Sequence, residues 1–124
     1  MSLIGIILAG IILAVGGYFV VELTIEWIRK KIYEDFRKEY EDVQNGEIDR
    51  AFIADINEMI DNCPNRKSYE TLKEAREQGY THVMGKISGG KLTGKIDLIK
   101  DKNDTLDPEV EELLGSEKMA VIEI

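Results

Sequence analysis

The chain has few of the residues that build covalent or metal-bound frameworks. Among 124 residues there is one cysteine, Cys63, and one histidine, His82. One thiol cannot form a disulfide within the chain, and this pair is too small a set of ligands for a structural zinc site. The sequence therefore predicts no metal and no cofactor. Cys63 is interpreted as a packed thiol and not as a nucleophile, because nothing near it in the sequence would activate it.

Basic residues are also in the minority. The chain has 16 lysines and arginines against 24 aspartates and glutamates, which gives a formal net charge of −8. A global charge of this sign repels nucleic acid, so no nucleic-acid partner is expected.

What the sequence does have is a long uncharged run at its start. Residues 3–21 read LIGIILAGIILAVGGYFVV. As a helix this run would be about 28 Å long, close to the hydrocarbon thickness of a bilayer. We expect an uncleaved transmembrane anchor over residues 1–21. A signal peptide is disfavoured because no basic residue precedes the run and because the run is long for an h-region.

The anchor is rich in glycine and alanine at spacings of four residues. Such spacings let two helices approach closely, which favours self-association in the membrane, although small residues are also common in membrane spans generally. The residues assigned to the span are its two ends and its small side chains: Leu3, Gly5, Ala9, Gly10, Ala14, Gly16, Gly17 and Val21.

The charges that follow the anchor predict its orientation. Arg29, Lys30, Lys31, Arg37 and Lys38 come soon after the run, whereas no basic side chain precedes it. The positive-inside rule then predicts a single-pass protein of the cell membrane, with its N-terminus outside and its C-terminal part in the cytoplasm.

Residues 22–44 are predicted to continue the anchor as an amphipathic helical stem. The stem has no glycine or proline, and its apolar side chains recur at helical spacings. Two interpretations remain open: the stripe packs against other copies of the chain, or it packs against the protein's own head domain. The stripe consists of Ile25, Ile28, Ile32, Phe36 and Val43.

Residues 45–124 are predicted to form a small α+β head with the order helix, helix, strand, strand, helix, strand. The helices are expected near residues 47–62 and 69–78 and after the cap Asp107-Pro108. The clearest signal is a β-hairpin over residues 81–100, because Gly89-Gly90 suits a two-residue turn. Its register would place Val83 opposite Ile96 and His82 opposite Asp97. A last strand over residues 118–124 would complete a three-stranded sheet and lie beside the first strand.

Three motifs in the head resemble functional sites, and each has a plainer explanation. Residues 85–91 match GxxxxGK, but a strand follows where a phosphate loop needs a helix. Acidic residues from Asp101 onward have the spacing of a calcium loop, but Leu106 occupies the position that requires glycine. His82 opposite Asp97 has the form of a catalytic pair, yet the sequence places no nucleophile beside it, so a cross-strand ion pair is favoured.

One face of the hairpin is expected to carry Lys86, Lys91 and Lys95, a positive patch on an acidic protein. The patch suits anionic lipid or an anionic ligand, although a solvated face is the commoner role of such lysines.

The function predicted from the sequence is a non-enzymatic, membrane-anchored scaffold or assembly subunit that forms homo-oligomers or binds a protein partner. The alternatives are a head that senses an anionic ligand or lipid through the three lysines, and a small membrane-bound immunity or exclusion factor. The small-molecule ligand, if there is one, is not identified by the sequence.

Overall fold

The structure is a computed structural model, and it describes residues 15–38, 50–63, 66–88, 91–103 and 105–123. These residues form an α+β fold with a five-stranded mixed sheet and four helices, so the predicted α+β character is confirmed. The elements in chain order are β1 (Val15–Val21), α1 (Ile25–Lys38), β2 (Arg50–Asp55), α2 (Ile56–Asp61), α3 (Arg66–Glu77), β3 (His82–Ser88), β4 (Lys91–Asp101), α4 (Pro108–Leu114) and β5 (Met119–Glu123).

The strand order in the sheet is β1-β4-β3-β2-β5. β1 pairs with β4 in parallel, and the other three pairings are antiparallel. As a result β1, β2 and β4 run in the same direction. Their carboxyl ends meet the amino ends of β3 and β5 at one edge of the sheet, which we call the carboxyl edge.

Both faces of the sheet are buried, each by a different pair of helices. One core packs α2 and α3 against the sheet and includes Phe52, Leu72 and Val83. The other core packs α1 and α4 against the opposite face and includes Ile28, Met84 and Val110. Successive strand residues point to opposite faces, so the central strands are apolar on both sides. The described fold therefore has three layers, with the sheet in the middle.

The predicted transmembrane helix over residues 3–21 is wrong. Val15–Val21, which include the predicted span residues Gly16, Gly17 and Val21, form the edge strand β1, and no described helix has the length and apolar character to cross a membrane. The residues Tyr18, Phe19, Val20 and Val21 are strong strand formers, and an apolar run alone does not distinguish a strand from a helix. The remaining span residues, Leu3, Gly5, Ala9, Gly10 and Ala14, lie outside the described part of the chain.

The predicted location depended on that helix and is corrected with it. Without a described membrane-spanning helix, the assignment of a single-pass protein of the cell membrane, with its N-terminus outside and a cytoplasmic head, loses its basis. The basic residues of α1 instead belong to a helix that packs on the sheet, since Ile28 is buried beside Leu23 and Ile99.

The predicted order of the head also needs correction. Residues 50–55 were expected in a helix, but they form β2, and α2 begins only at Ile56, where the side chain of Asp55 caps it. The sheet has five strands instead of three, because β1 and β2 join it. β5 lies at the far edge, antiparallel to β2, and not beside the first hairpin strand.

The hairpin is confirmed as β3 and β4, but its register is only partly as predicted. Ser88 pairs with Lys91 and Ile87 with Leu92, as the turn requires, yet beyond an irregularity between Met84 and Lys86 the pairing moves to Val83 with Leu98. The shift is two residues. A shift of two keeps every side chain on its original face, whereas a shift of one would exchange the faces.

The helix after Asp107 follows its sequence signals closely. Asp107 accepts a hydrogen bond from the backbone N–H of Glu109 at 2.9 Å, Pro108 occupies the first turn, and the helix ends before Gly115 at a φ of 67°. A capping carboxylate and an initial proline satisfy or remove backbone donors that a helix start leaves without partners.

Candidate functional site

The structure describes the predicted stem and lysine residues only in part. In α1, Ile28 is buried and Ile25 and Ile32 are half-buried. The side chain of Phe36 and all of Val43 lie outside the described part. Lys86 is half-buried in β3 and interacts with a neighbouring group, while Lys91 and Lys95 lie in β4 with side chains outside the described part. The anionic-ligand patch therefore stays a prediction.

His82 and Asp97 do not face each other across the hairpin. Because of the two-residue shift, His82 pairs with Ile99 and Asp97 pairs with Met84. Asp97 instead forms a largely buried ion pair with Lys31 of α1, with 3.6 Å between Oδ2 and Nζ. Lys31 also lies over the ring of Phe19, 4.1 Å from its centroid. These contacts join α1 to β1 and β4.

A cavity of about 580 Å³ opens at the carboxyl edge of the sheet. Several charged and polar side chains come together in its lining. The strand ends supply Asp55, His82, Lys100 and Asp101, and the helix α3 supplies Arg76. None of these five residues was predicted as part of a common site, although His82 and Asp101 appeared in the rejected motifs.

One wall of the cavity is acidic. Asp55, His82 and Asp101 occupy strand positions on the face of the sheet that α1 and α4 cover. The Oδ1 atom of Asp55 accepts hydrogen bonds from the backbone N–H groups of Asn57 and Glu58, at 2.8 and 3.3 Å. Oδ1 of Asp101 accepts from Leu23 and Asn103, at 3.2 and 3.1 Å. Backbone donors thus fix both carboxylates through one oxygen, and the second oxygen of each makes no hydrogen bond with another described residue.

The opposite wall is basic. Lys100 points to the other face of the sheet, where its Nζ lies 5.0 Å from the ring centroid of Tyr80. Nη1 of Arg76 donates to Oδ1 of Asn57 at 3.1 Å. Gly79 has a φ of 95° and ends α3, and a β-carbon there would lie 3.1 Å from Cε of Lys100. The positive φ favours glycine here, and a larger residue would also displace the end of the Lys100 side chain.

The charges of the two walls do not neutralise each other directly. Neither Arg76 nor Lys100 forms an ion pair with Asp55, Asp101 or any other described residue. The cavity is therefore lined by two basic and two acidic side chains that form no ion pair with one another.

His82 lies at the back of the acidic wall, and only 4% of its surface is exposed. The hydroxyl of Thr81 donates to the carbonyl oxygen of Ile99 at 3.3 Å, and it lies 2.8 Å from Nδ1 of His82. This contact is a hydrogen bond in which Nδ1 donates when it carries the proton of the neutral ring and accepts when Nε2 carries it. Nε2 is buried and has no hydrogen-bond partner among the described residues.

Burial lowers the pKa of His82 below its ordinary value of 6.5, and the negative charges of Asp55 and Asp101 oppose this shift with smaller effects. Desolvation disfavours the imidazolium form of a buried histidine. His82 is therefore neutral at pH 7, and the net charge of the acidic wall comes from its two carboxylates.

The lowered pKa predicts a specific loss of stability in acid. Between the folded pKa and about 6.5 the unfolded chain binds a proton at His82 that the folded chain does not, so the free energy of unfolding falls as the pH falls through this window. The contribution of one proton is at most about 1.4 kcal/mol per pH unit. We expect urea unfolding between pH 7.5 and 5.0 to show a steeper loss in the wild type than in His82→Gln.

The carboxylates titrate in the wild type and in His82→Gln alike, so their contributions to the loss of stability cancel when the two proteins are compared. A direct check is the NMR titration of His82, whose imidazole is the only one in the chain. A pKa above that of the unfolded chain, or equal slopes for the two proteins, would contradict the prediction.

A second concave surface lies on the side of α1 that faces α4. It is an apolar groove of about 390 Å³. The exposed rings and side chains at its rim include Tyr33, which is 67% exposed, and Leu113. The groove is lined by Ile25, Ile28, Arg29, Ile32, Tyr33, Leu113 and Ile122.

Sequence reasoning missed the cavity because its members come from elements that are distant in the chain. Two local signals point toward it. Asp55 follows an apolar run directly, as a capping residue does. Gly79 separates a helix from a strand, which places Tyr80 and Thr81 just before β3 and His82 at its first position. The meeting of these positions with Arg76 and Asp101 depends on the strand order, which the sequence pattern did not predict.

Comparisons with models of protein families, with curated proteins and with solved structures give no match to this chain. The described part of the protein can therefore be classified only by its structure. It is a three-layer α+β unit with a charged cavity at the carboxyl edge of its mixed sheet.

Proposed function

We propose that this protein is a non-enzymatic binding module that takes up a small polar ligand in the cavity at the carboxyl edge. The single observation that supports this best is the pair of unneutralised charged walls around one open space. Ligand sites are typically concave and place a few polar groups at fixed positions in a partly apolar surface. Ile56 and Leu106 supply apolar surface to the same cavity.

The chemistry of the lining favours binding over catalysis. The lining of the described cavity contains no serine and no cysteine. The imidazole of His82 is committed through Nδ1 to Thr81, and its Nε2 is shielded from solvent. A general base must reach the proton that it abstracts, and a nucleophile needs such a base within hydrogen-bond distance. The imidazole of His82 is therefore not placed to act as such a base, and the described lining presents no serine or cysteine nucleophile beside the carboxylates of Asp55 and Asp101.

His82 offers a direct test of the proposal because its imidazole is the only one in the chain. Mixtures of small polar metabolites are added to the full chain, and the histidine ring resonances are followed by NMR. A ligand in the cavity is expected to shift these resonances, and Arg76→Gln is expected to weaken its binding about tenfold or more if Arg76 contacts an anionic group.

The matched control for this experiment is Arg66→Gln, which removes an exposed arginine of the same helix that pairs with Glu70 at 3.0 Å. The control is expected to bind as the wild type does. Equal weakening in both variants, or a complete screen without any shift of the His82 resonances, would contradict binding in the cavity.

The apolar groove supports a second proposal, self-association of two copies. Tyr33 and Leu113 expose apolar surface at its rim, Arg29 of α1 lines it, and α4 carries three glutamates and no basic residue. A two-fold arrangement would set Arg29 of each copy against the acidic helix α4 of the other copy.

Sedimentation equilibrium tests this second proposal. We expect a dimer that Tyr33→Ser weakens and that the exposed control Tyr69→Ser on α3 leaves unchanged. A monomer at all concentrations of the wild type would exclude it.

A further inference from the structure

Resting on the proposed function, we infer that the ligand of the cavity is a small zwitterion with an ammonium group and a carboxylate, of the size of an amino acid or a dipeptide. The ammonium group binds at the wall formed by Asp55 and Asp101. The carboxylate binds at the wall formed by Arg76 and Lys100.

The first step of the argument concerns the separation of charge. Asp55 and Asp101 lie on one face of the sheet end and Lys100 on the other, because strand residues alternate between faces and the cavity opens where the strands stop. Arg76 reaches the same side as Lys100 from α3. No ion pair joins the two walls in the described structure. A ligand with a single charge would form charge-assisted hydrogen bonds with one wall only, and the charged side chains of the other wall would be solvated by water.

The second step concerns the acceptors of the acidic wall. Backbone N–H groups occupy Oδ1 of Asp55 and Oδ1 of Asp101, so both carboxylates are held in position before a ligand arrives. The second oxygen of each remains available. Hydrogen bonds from an ammonium group to carboxylates are charge-assisted and are about twice as strong as neutral ones.

The third step concerns the neutral imidazole behind this wall. A protonated His82 would place a positive charge beside both carboxylates and would compete with the ligand's ammonium group. Its buried, hydrogen-bonded ring keeps the wall negative at pH 7. His82 therefore adds no positive charge to the wall and does not need to contact the ligand.

The fourth step concerns the basic wall. Lys100 is held over Tyr80, and the guanidinium of Arg76 uses one nitrogen for Asn57, which leaves further donors for a carboxylate. Guanidinium and ammonium groups without a carboxylate partner in the protein are suited to bind one from a ligand.

Three dipeptides of nearly equal size test the inference. L-alanyl-L-alanine carries both charges, its N-acetyl derivative carries only the carboxylate, and its C-terminal amide carries only the ammonium group. Calorimetric titration of the full chain at pH 7 and low salt is expected to show binding of the free dipeptide. Each blocked form is expected to bind about tenfold more weakly or worse, since each loses charge-assisted hydrogen bonds.

Two variants assign the charges to the walls. Lys100→Gln is expected to weaken the free and the N-acetyl dipeptides and to leave the amide unchanged. Asp101→Asn keeps an oxygen that accepts from Leu23 and Asn103, and it is expected to weaken the free dipeptide and the amide while leaving the N-acetyl form unchanged. Circular dichroism of each variant verifies that the fold is retained.

The possible failures are distinguishable. If the N-acetyl dipeptide binds as tightly as the free one, or if none of the three binds while another compound shifts the His82 resonances, the zwitterion is excluded and the binding function stands. If no compound shifts those resonances, both the inference and the proposed function are overturned.

Discussion

Replacing Phe52 by alanine is expected to lower the free energy of unfolding by about 3–5 kcal/mol. Phe52 is 1% exposed and packs among the core residues between the sheet and the helices α2 and α3. Its register partner in β3 is Gly85, which has no side chain with which to fill the space that the ring would leave. The cavity created by the substitution therefore has little chance to close. Urea denaturation of the purified full chain measures the change.

The matched control for this prediction is Tyr69→Ala. Tyr69 is a partly exposed aromatic residue of α3, with the Nζ of Lys73 at 5.9 Å from its ring centroid. Loss of this contact is expected to cost less than about 1 kcal/mol. Equal costs for the two substitutions would mean that Phe52 does not lie in a packed core.

Replacing Ile28 by alanine is expected to lower the free energy of unfolding by about 2–5 kcal/mol. Ile28 is 1% exposed and contacts the core that includes Leu23, Ile99 and Val110. This prediction tests the main correction to the sequence analysis. If α1 were a stem outside the folded unit, a residue of its apolar stripe would contribute little to the unfolding of the sheet.

Glu34→Ala is the control, because Glu34 lies on the same helix and its side chain is exposed. Its substitution is expected to change the free energy of unfolding by no more than about 0.5 kcal/mol. A similar small effect for Ile28→Ala would show that α1 does not pack on the sheet in solution.

The parts of the fold that the sequence predicted are those fixed by short-range chemistry. The cap of α4 depends on Asp107, Pro108 and Gly115, which are neighbours of the helix that they delimit. The two-residue turn predicted from the sequence likewise gave the correct first pairs, Ser88 with Lys91 and Ile87 with Leu92. Such signals act within a few residues, so they do not depend on the rest of the fold.

The parts that were wrong depend on burial by distant elements. The segment Arg50–Asp55 reads RAFIAD, an apolar run with no clear period, and its four central residues are buried. A central strand that is covered on both faces has the same composition as a buried helix. The uncharged segment Val15–Val21 was misassigned for the same reason, because its pairing with β4 is not visible in the sequence.

The candidate site was harder to predict than the fold. Asp55, Arg76 and Asp101 belong to three different elements, and each has an ordinary local role or none. Only the strand order brings them to one edge. The positive patch of Lys86, Lys91 and Lys95 was predicted from one hairpin alone, because sequence periodicity relates only residues that are close in the chain.

The parallel pairing of β1 with β4 has a consequence for synthesis. The two strands are separated by about 80 residues in the chain, and ribosomes add about 5–20 residues per second. The first strand therefore waits on the order of 4–16 seconds after it emerges before its partner exists. Throughout that interval an apolar segment with unpaired backbone amide groups can pair with other chains. Nascent chains of this protein are therefore expected to depend on holdase chaperones more than their small size suggests.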